Sequence, residues 1–250
     1  MCRKFIVLLV AAAASFPVPL VAQTVKVGLI NSYTGFVAQA ADEGGKAFDL
    51  YLKLHEKELP EGVKLEFVKR DDTSNPEVAK RLAQELIARD RVQMLMGVVL
   101  SPSAAAIAPL TAEAKVPLLL CIASAGVQIP RLSPYIARVS FTLWQQGYPI
   151  GKWAAEQGWK KGYTAVSDFI PGHDSEASFA KGFTDGGGQI IGSVRMPPQN
   201  PDFVPFVQRI KDAKPDVAFF FVPADPQATA LIKATATATK RPRSRPISPI

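Results

Sequence analysis

The stretch VQMLMGVVL-SPSAAAIAPLTAEAK-VPLLLCIASAG, residues 92–126, decides the fold. Met94-Leu95-Met96 and Leu118-Leu119-Leu120 are apolar without alternation, the pattern of parallel strands covered on both faces. Between them, Ser101 followed by Pro102 reads as an N-cap with proline at the first helical position, so a helix starts there. A strand–helix–strand unit of this kind belongs to an open α/β sheet, whose ligands sit in the crevice at the carboxyl ends of the strands. Ser101 and Ser124 both fall at that edge, and the free N–H groups of a helix start suit a carboxylate or phosphate.

Upstream, residues 25–30 read as a strand, 31–35 as a turn, and 41–59 as a helix with Ala47, Leu50, Tyr51 and Leu54 at helical spacing. Residues 63–68 alternate, as a strand near a sheet edge does, and end in Arg70-Asp71-Asp72. Asn75-Pro76 opens a helix running to residue 89, with Ala79, Leu82, Ala83, Leu86 and Ile87 on one face. The order β-α-β-α-β-α-β predicts a first doubly wound α/β lobe over residues 23–137. Residues 130–146 lack helical period, contain two prolines and read as a crossing segment. A second α/β series follows over residues 138–233: helix 147–157, strand 163–167, helix 174–185, strand 189–194, helix 202–213, strand 216–222 and a helix from 227. From 234 to 250 the chain turns to small residues and then RPRSRPISPI, a basic Pro/Arg/Ser tail expected to be disordered. The α/β pattern breaks off there in mid-helix, and a truncated or frame-shifted reading frame is expected, with a natural basic tail as the alternative.

The formal charge of +7 would suggest a nucleic-acid or membrane partner until its sources are located. Arg3 and Lys4 lie in the leader, and Lys240, Arg241, Arg243 and Arg245 in the tail. Removing those six leaves 23 basic and 22 acidic residues, so the body is about neutral and no nucleic-acid partner is expected. Residues 1–22 have a basic start, an apolar run from Phe5 to Ala14 and small residues near Ala22, the signature of a cleaved secretory signal peptide. Cleavage would leave Cys121 as the one cysteine, an inert core thiol at a strand end, and the exported fold would rest on its core without a disulfide.

Tests for chemistry fail. The first strand–helix turn, NSYTGF, has one glycine and no G-x-G-x-x-G, so no dinucleotide cofactor is expected. The glycines at 186–188 follow a helix and precede a strand, which makes them a helix C-terminus, and the 147–153 segment lacks P-loop spacing. His55 sits among charged residues of a helix. His173 with Asp174 is too little for a metal site; Asp174 reads as an N-cap and His173 as a pocket wall. There is no G-x-S-x-G elbow and no catalytic constellation, so the chain is not expected to be an enzyme.

In order and spacing, VKVGLI and SYTG (25–35), MGVVLSPSAAAIAP (96–109), PLLLCIASAG (117–126), RVSFTLWQQG (138–147), SDFIPGHDSEASFAKGF (167–183) and PDFVPFVQRIKDAKPDVAFFFVP (201–223) resemble one family. It is the leucine/isoleucine/valine-binding type of periplasmic solute-binding protein of ABC importers. The resemblance implies two α/β lobes clamping a ligand between them. It places the ligand's carboxylate on Ser101 and on Ser124, Ala125 and Gly126, and the ligand's body near Tyr33, Trp144 and His173. For Trp144 a hinge-packing role is the alternative. The acidic residue with which amino-acid binders hold an ammonium would lie beyond the coherent end of this chain. Tyr33, Trp144, Phe169 and His173 would suit the flat ring of an aromatic acid, which some relatives carry. The expected function is therefore periplasmic capture of a small carboxylate, a branched-chain or related amino acid or an aromatic acid, for delivery to the membrane permease of an ABC importer. A sensing domain of the same fold and an exported α/β enzyme are the alternatives.

Overall fold

The computed structural model describes residues 23–126, 129–223 and 226–238. The expected signal peptide and the last twelve residues of the expected tail lie outside them. The first sheet is parallel, in the order β2-β1-β3-β4-β5. It is built from β1 (Gln23–Asn31), β2 (Val63–Asp71), β3 (Met94–Gly97), β4 (Leu118–Leu120) and β5 (Ile136–Arg138). As its alternation predicts, β2 is an edge. One face carries α2 (Pro76–Ala88) and α3 (Ser101–Ala114), whose Ala79, Ala83, Leu86, Ala104 and Ile107 close on Ile30, Leu95, Leu118 and Leu120. Asn75 caps α2 as expected, its Oδ1 accepting from the N–H groups of Glu77 and Val78.

The opposite face departs from the sequence reading in two ways. Met94, Met96 and Leu119 are only half-buried, because α1 (Ala38–Leu54) covers this face in part. The helix docks through Ala41 and Phe48, the latter edge-on to Phe67 at 5.1 Å, and so leaves the expected core stripe of Leu50, Tyr51 and Leu54 exposed. A hollow of about 220 Å³ lies under α1, lined by Leu29, Asn31, Phe48, Met96, Cys121 and Ile122. Cys121 is half-buried, and burial pushes its thiol up from the ordinary value.

The segment read as an unstructured crossing contains a short 3₁₀ turn (Ile129–Leu132), then β5, which pairs with β4 in parallel. A three-residue strand is too short to register as a pattern. The chain leaves the first sheet at Arg138 and enters α4 (Leu143–Glu156) through a capping box. Thr142 Oγ1 accepts from the Gln145 N–H, and the Gln145 side chain accepts from the Thr142 N–H at 2.7 Å.

The second sheet, order β7-β6-β8, comprises β6 (Lys161–Ser167), β7 (Gln189–Met196) and β8 (Val217–Phe221). On one face α4 lies against α5 (Ile170–Asp185), with Phe179 and Phe183 stacked on each other at 5.7 Å. The two helices approach so closely that a side chain at Gly151 would strike the Phe179 carbonyl and sit 2.8 Å from the Phe183 nitrogen. On the other face α6 (Val204–Ala213) and α7 (Gln227–Ala238) bury Val207, Ile210 and Leu231 against Tyr163, Ala165 and Val194. The last helix continues to Ala238, five residues past the point where the apolar pattern stops, so residues 234–238 are helix and not part of a disordered tail. Among the described residues no helix is long and apolar enough to cross a membrane.

Candidate ligand-binding cleft

The carboxyl ends of the first sheet are bolted together by two aspartates that follow β2. Asp72 is fully buried; it accepts from Ser32 Oγ at 2.6 Å, Ser103 Oγ at 3.0 Å and the Ser74 N–H at 3.0 Å. One carboxylate thus joins the β1–α1 loop, the β2–α2 loop and the start of α3. Asp71 accepts from the Thr34 N–H, Thr34 Oγ1 and the Thr73 N–H. Partial burial works to raise its carboxyl, and the hydrogen bonds from Thr34, Thr73 and Tyr33 overcome it, so the group lies below the ordinary carboxylate value.

Ser101 is the first residue of α3 and almost fully buried, but it is not the N-cap. That position belongs to Leu100, which has no side chain to cap with, and Pro102 follows within the first turn. The Ser101 hydroxyl is turned to the loop after β4, where Oγ accepts from the Ala125 N–H at 3.1 Å. The serine links two strand ends, not a helix to itself.

The 123–126 loop has every carbonyl engaged. Arg138, at the end of β5, donates from Nε to the Ala123 oxygen at 3.1 Å. Its Nη2 donates to the Ala125 and Gly126 oxygens at 2.9 and 3.1 Å. The Leu143 N–H donates to the Ser124 oxygen at 3.1 Å. Gly126 has φ +67°, and a Cβ there would lie 2.9 Å from Ile129 Cγ1, so the turn requires glycine. Burial pushes the Arg138 guanidinium below its ordinary value while Asp174 pulls it back up, and it remains a cation.

Asp174 comes from the second lobe. It is not the N-cap of α5, because that helix starts four residues earlier with Phe169 at its cap. In the second turn its carboxylate faces the first lobe, with Oδ2 accepting from the Gly126 N–H at 3.2 Å and Oδ1 from Trp144 Nε1 at 2.8 Å. Phe36 of the first lobe meets Phe169 of the second edge-on at 6.3 Å, and Phe169 lies 6.2 Å from Phe221.

Of the residues singled out in the sequence, Ser101, Ser124, Ala125, Gly126 and Trp144 come together at this edge. Among the described residues no hydrogen bond or ring contact joins the Tyr33 or His173 side chain to them. The Tyr33 ring lies along α1 near Gly45, with its hydroxyl buried and unpartnered, and the exposed His173 pairs through Nε2 with Asp168 at 2.7 Å. The sequence reading missed Arg138, Phe36 and the interlobe role of Asp174. A lone arginine closing the apolar run Tyr135-Ile-Ala was the available signal for the first.

A family profile described as periplasmic binding protein matches residues 24–240. A curated relative, the Leu/Ile/Val-binding protein homolog 6 of Brucella suis, is 36% identical over 225 residues, which are 90% of this chain and 56% of the relative. Among solved structures, an ABC-transporter solute-binding protein of Rhodopseudomonas palustris BisB5, in complex with 3,4-dihydroxybenzoic acid, is 46% identical. It superposes with a TM-score of 0.81 over 86% of this chain and 58% of its own. Another from R. palustris, in complex with 4-hydroxybenzoate, is 41% identical, with a TM-score of 0.81 and the same coverage. The chain therefore spans a little over half the length of the proteins it matches, and these neighbours are solute-binding proteins.

Proposed function

The chain belongs to the periplasmic binding protein family, and from that premise we propose that it captures an aromatic carboxylate of the benzoate class between its lobes, for delivery to an ABC-transporter permease. The observation that carries this reading is the donor set at the cleft edge. The Ser101 hydroxyl meets the Ala125 N–H, next to the Gly126 N–H, on a loop whose carbonyls Arg138 holds, and the Phe36–Phe169 pair spans the lobes. A carboxylate takes the donors, and a flat ring lies against aromatic edges. An amino acid would need in addition an acceptor for its ammonium. Asp174 is the carboxylate that meets these donors, and it accepts from the Gly126 N–H and from Trp144 Nε1.

The two solute-binding proteins with 46% and 41% identity carry hydroxylated benzoates, which supports the same ligand class here. Capture would proceed by closure about the 139–142 segment between β5 and α4, and no bond of the ligand is made or broken. The reading of residues 1–22 as a signal peptide supports a periplasmic location. Isothermal titration of the mature chain with benzoate, 4-hydroxybenzoate and leucine tests the proposal. Binding of the two benzoates and not of leucine is expected; leucine binding with the benzoates silent would overturn it.

A further inference from the structure

Resting on the carboxylate reading, we infer that Arg138 is the positioning residue that turns the 123–126 loop into an anion site, with Asp174 as the counter-charge that a ligand carboxylate displaces. The geometry carries both halves. Four consecutive carbonyls, those of Ala123, Ser124, Ala125 and Gly126, are all drawn off by donors, three of them by the one guanidinium. In a trans peptide the N–H points opposite the carbonyl, so holding these carbonyls fixes the direction of the Ser124, Ala125 and Gly126 N–H groups, of which Ala125 and Gly126 meet Ser101 and Asp174. The guanidinium is half-buried and adds a full positive charge behind those dipoles.

A carboxylate from the opposite lobe meets the same loop. Asp174 sits on the Gly126 N–H and on the indole N–H of Trp144, as the carboxylate of a bound acid would. A ligand carboxylate entering the loop takes over the Gly126 donor and the role of counter-ion to Arg138. Asp174 is then left on Trp144 alone. Arg138 need not touch the ligand; it acts through the loop it holds.

The experiment compares benzoate with benzamide, its neutral analogue of nearly the same shape, on the wild type and on Arg138→Met, Arg138→Lys and Asp174→Asn. Arg138→Met removes the charge at similar volume and is expected to weaken benzoate by about thirtyfold, and benzamide, which needs the oriented N–H groups but not the charge, by about a tenth of that factor. Arg138→Lys keeps the charge without the planar fork and should recover part of the benzoate affinity. Asp174→Asn, which takes the charge off the internal competitor, should strengthen benzoate severalfold and benzamide by less. Equal losses for the two ligands in Arg138→Met, or a benzoate affinity weakened in Asp174→Asn, would overturn the assignment. If the wild type ignores benzoate, the carboxylate reading fails separately. Amide hydrogen exchange then judges Arg138 without any ligand: the assignment stands if Arg138→Met speeds exchange across residues 123–126 while the rest of the first lobe is unchanged, and falls if the loop stays protected.

Discussion

Replacing Ser101 by alanine separates stability from affinity in a way the geometry dictates. The hydroxyl is 2% exposed and accepts from the Ala125 N–H, which is itself fully buried. In the ligand-free protein the substitution orphans that N–H, and a buried donor without a partner costs about 1–3 kcal/mol. With a carboxylate bound, the same N–H regains an acceptor from the ligand, and what is lost is the hydroxyl's own bond to the anion, worth about 1.5–3 kcal/mol. The two losses largely cancel in the binding equilibrium. Ser101→Ala should therefore lower the unfolding free energy of the free protein by about 1–3 kcal/mol, read in urea melts. It should weaken benzoate by less than about tenfold in calorimetry, since only the difference of roughly 1 kcal/mol appears in affinity. A hundredfold loss of affinity with unchanged stability would refute the reasoning, because it would mean that the Ser101–Ala125 bond does not exist before the ligand arrives.

Two other predictions test the frame around the site. Gly151→Ala forces a Cβ onto the Phe179 carbonyl where α4 and α5 meet, and should destabilise the second lobe by about 1–3 kcal/mol, read as an early unfolding transition by circular dichroism. Asp71 has a carboxyl below its ordinary value of 3.8, so its contribution to stability is present above that value and is lost as pH falls through the depressed one. Asp71→Asn should be less stable than the wild type near neutral pH, and the gap should close as both proteins are acidified below about pH 4. A gap that stays constant across the acid range would show that Asp71 ionisation does not support the loop.

Most of the α/β framework was legible because it is written in local pattern. Unbroken apolar triplets mark β3 and β4, and Asn75-Pro76 marks the start of α2 with both capping bonds in place. What was not legible depends on partners distant in the chain. The stripe Leu50, Tyr51 and Leu54 has sound helical spacing, yet Phe48 is the residue that meets Phe67, and no helical wheel says which of two apolar stripes finds a sheet. Ser101 and Asp174 each have the local look of an N-cap, since short polar side chains near a proline commonly bond their own helix. In both cases the side chain instead serves an N–H brought near by the fold, across 24 and 48 residues of sequence. Arg138 lies on a strand too short to show a period, and its three acceptors are contributed by one turn of the neighbouring strand's loop.

The same two bonds bear on how the cleft can recognise its ligand. Ala125 and Gly126 offer their N–H groups to Ser101 and Asp174, so both donors have an acceptor within the protein. Binding is then an exchange of acceptors and not the filling of empty donors. Each exchange contributes only the difference between two hydrogen bonds, which is small for a neutral hydroxyl against an anion and smaller still for one carboxylate against another. Affinity must come from elsewhere: from ring area brought against aromatic edges such as the Phe36–Phe169 pair. Selectivity for a charged head group would come from the loop held by Arg138, and the strength of the grip from the apolar body the head group carries. Short aliphatic acids such as acetate, which satisfy the loop but bring no ring, should accordingly bind far more weakly than benzoate, and a titration in which acetate matched benzoate would place the binding energy in the loop after all.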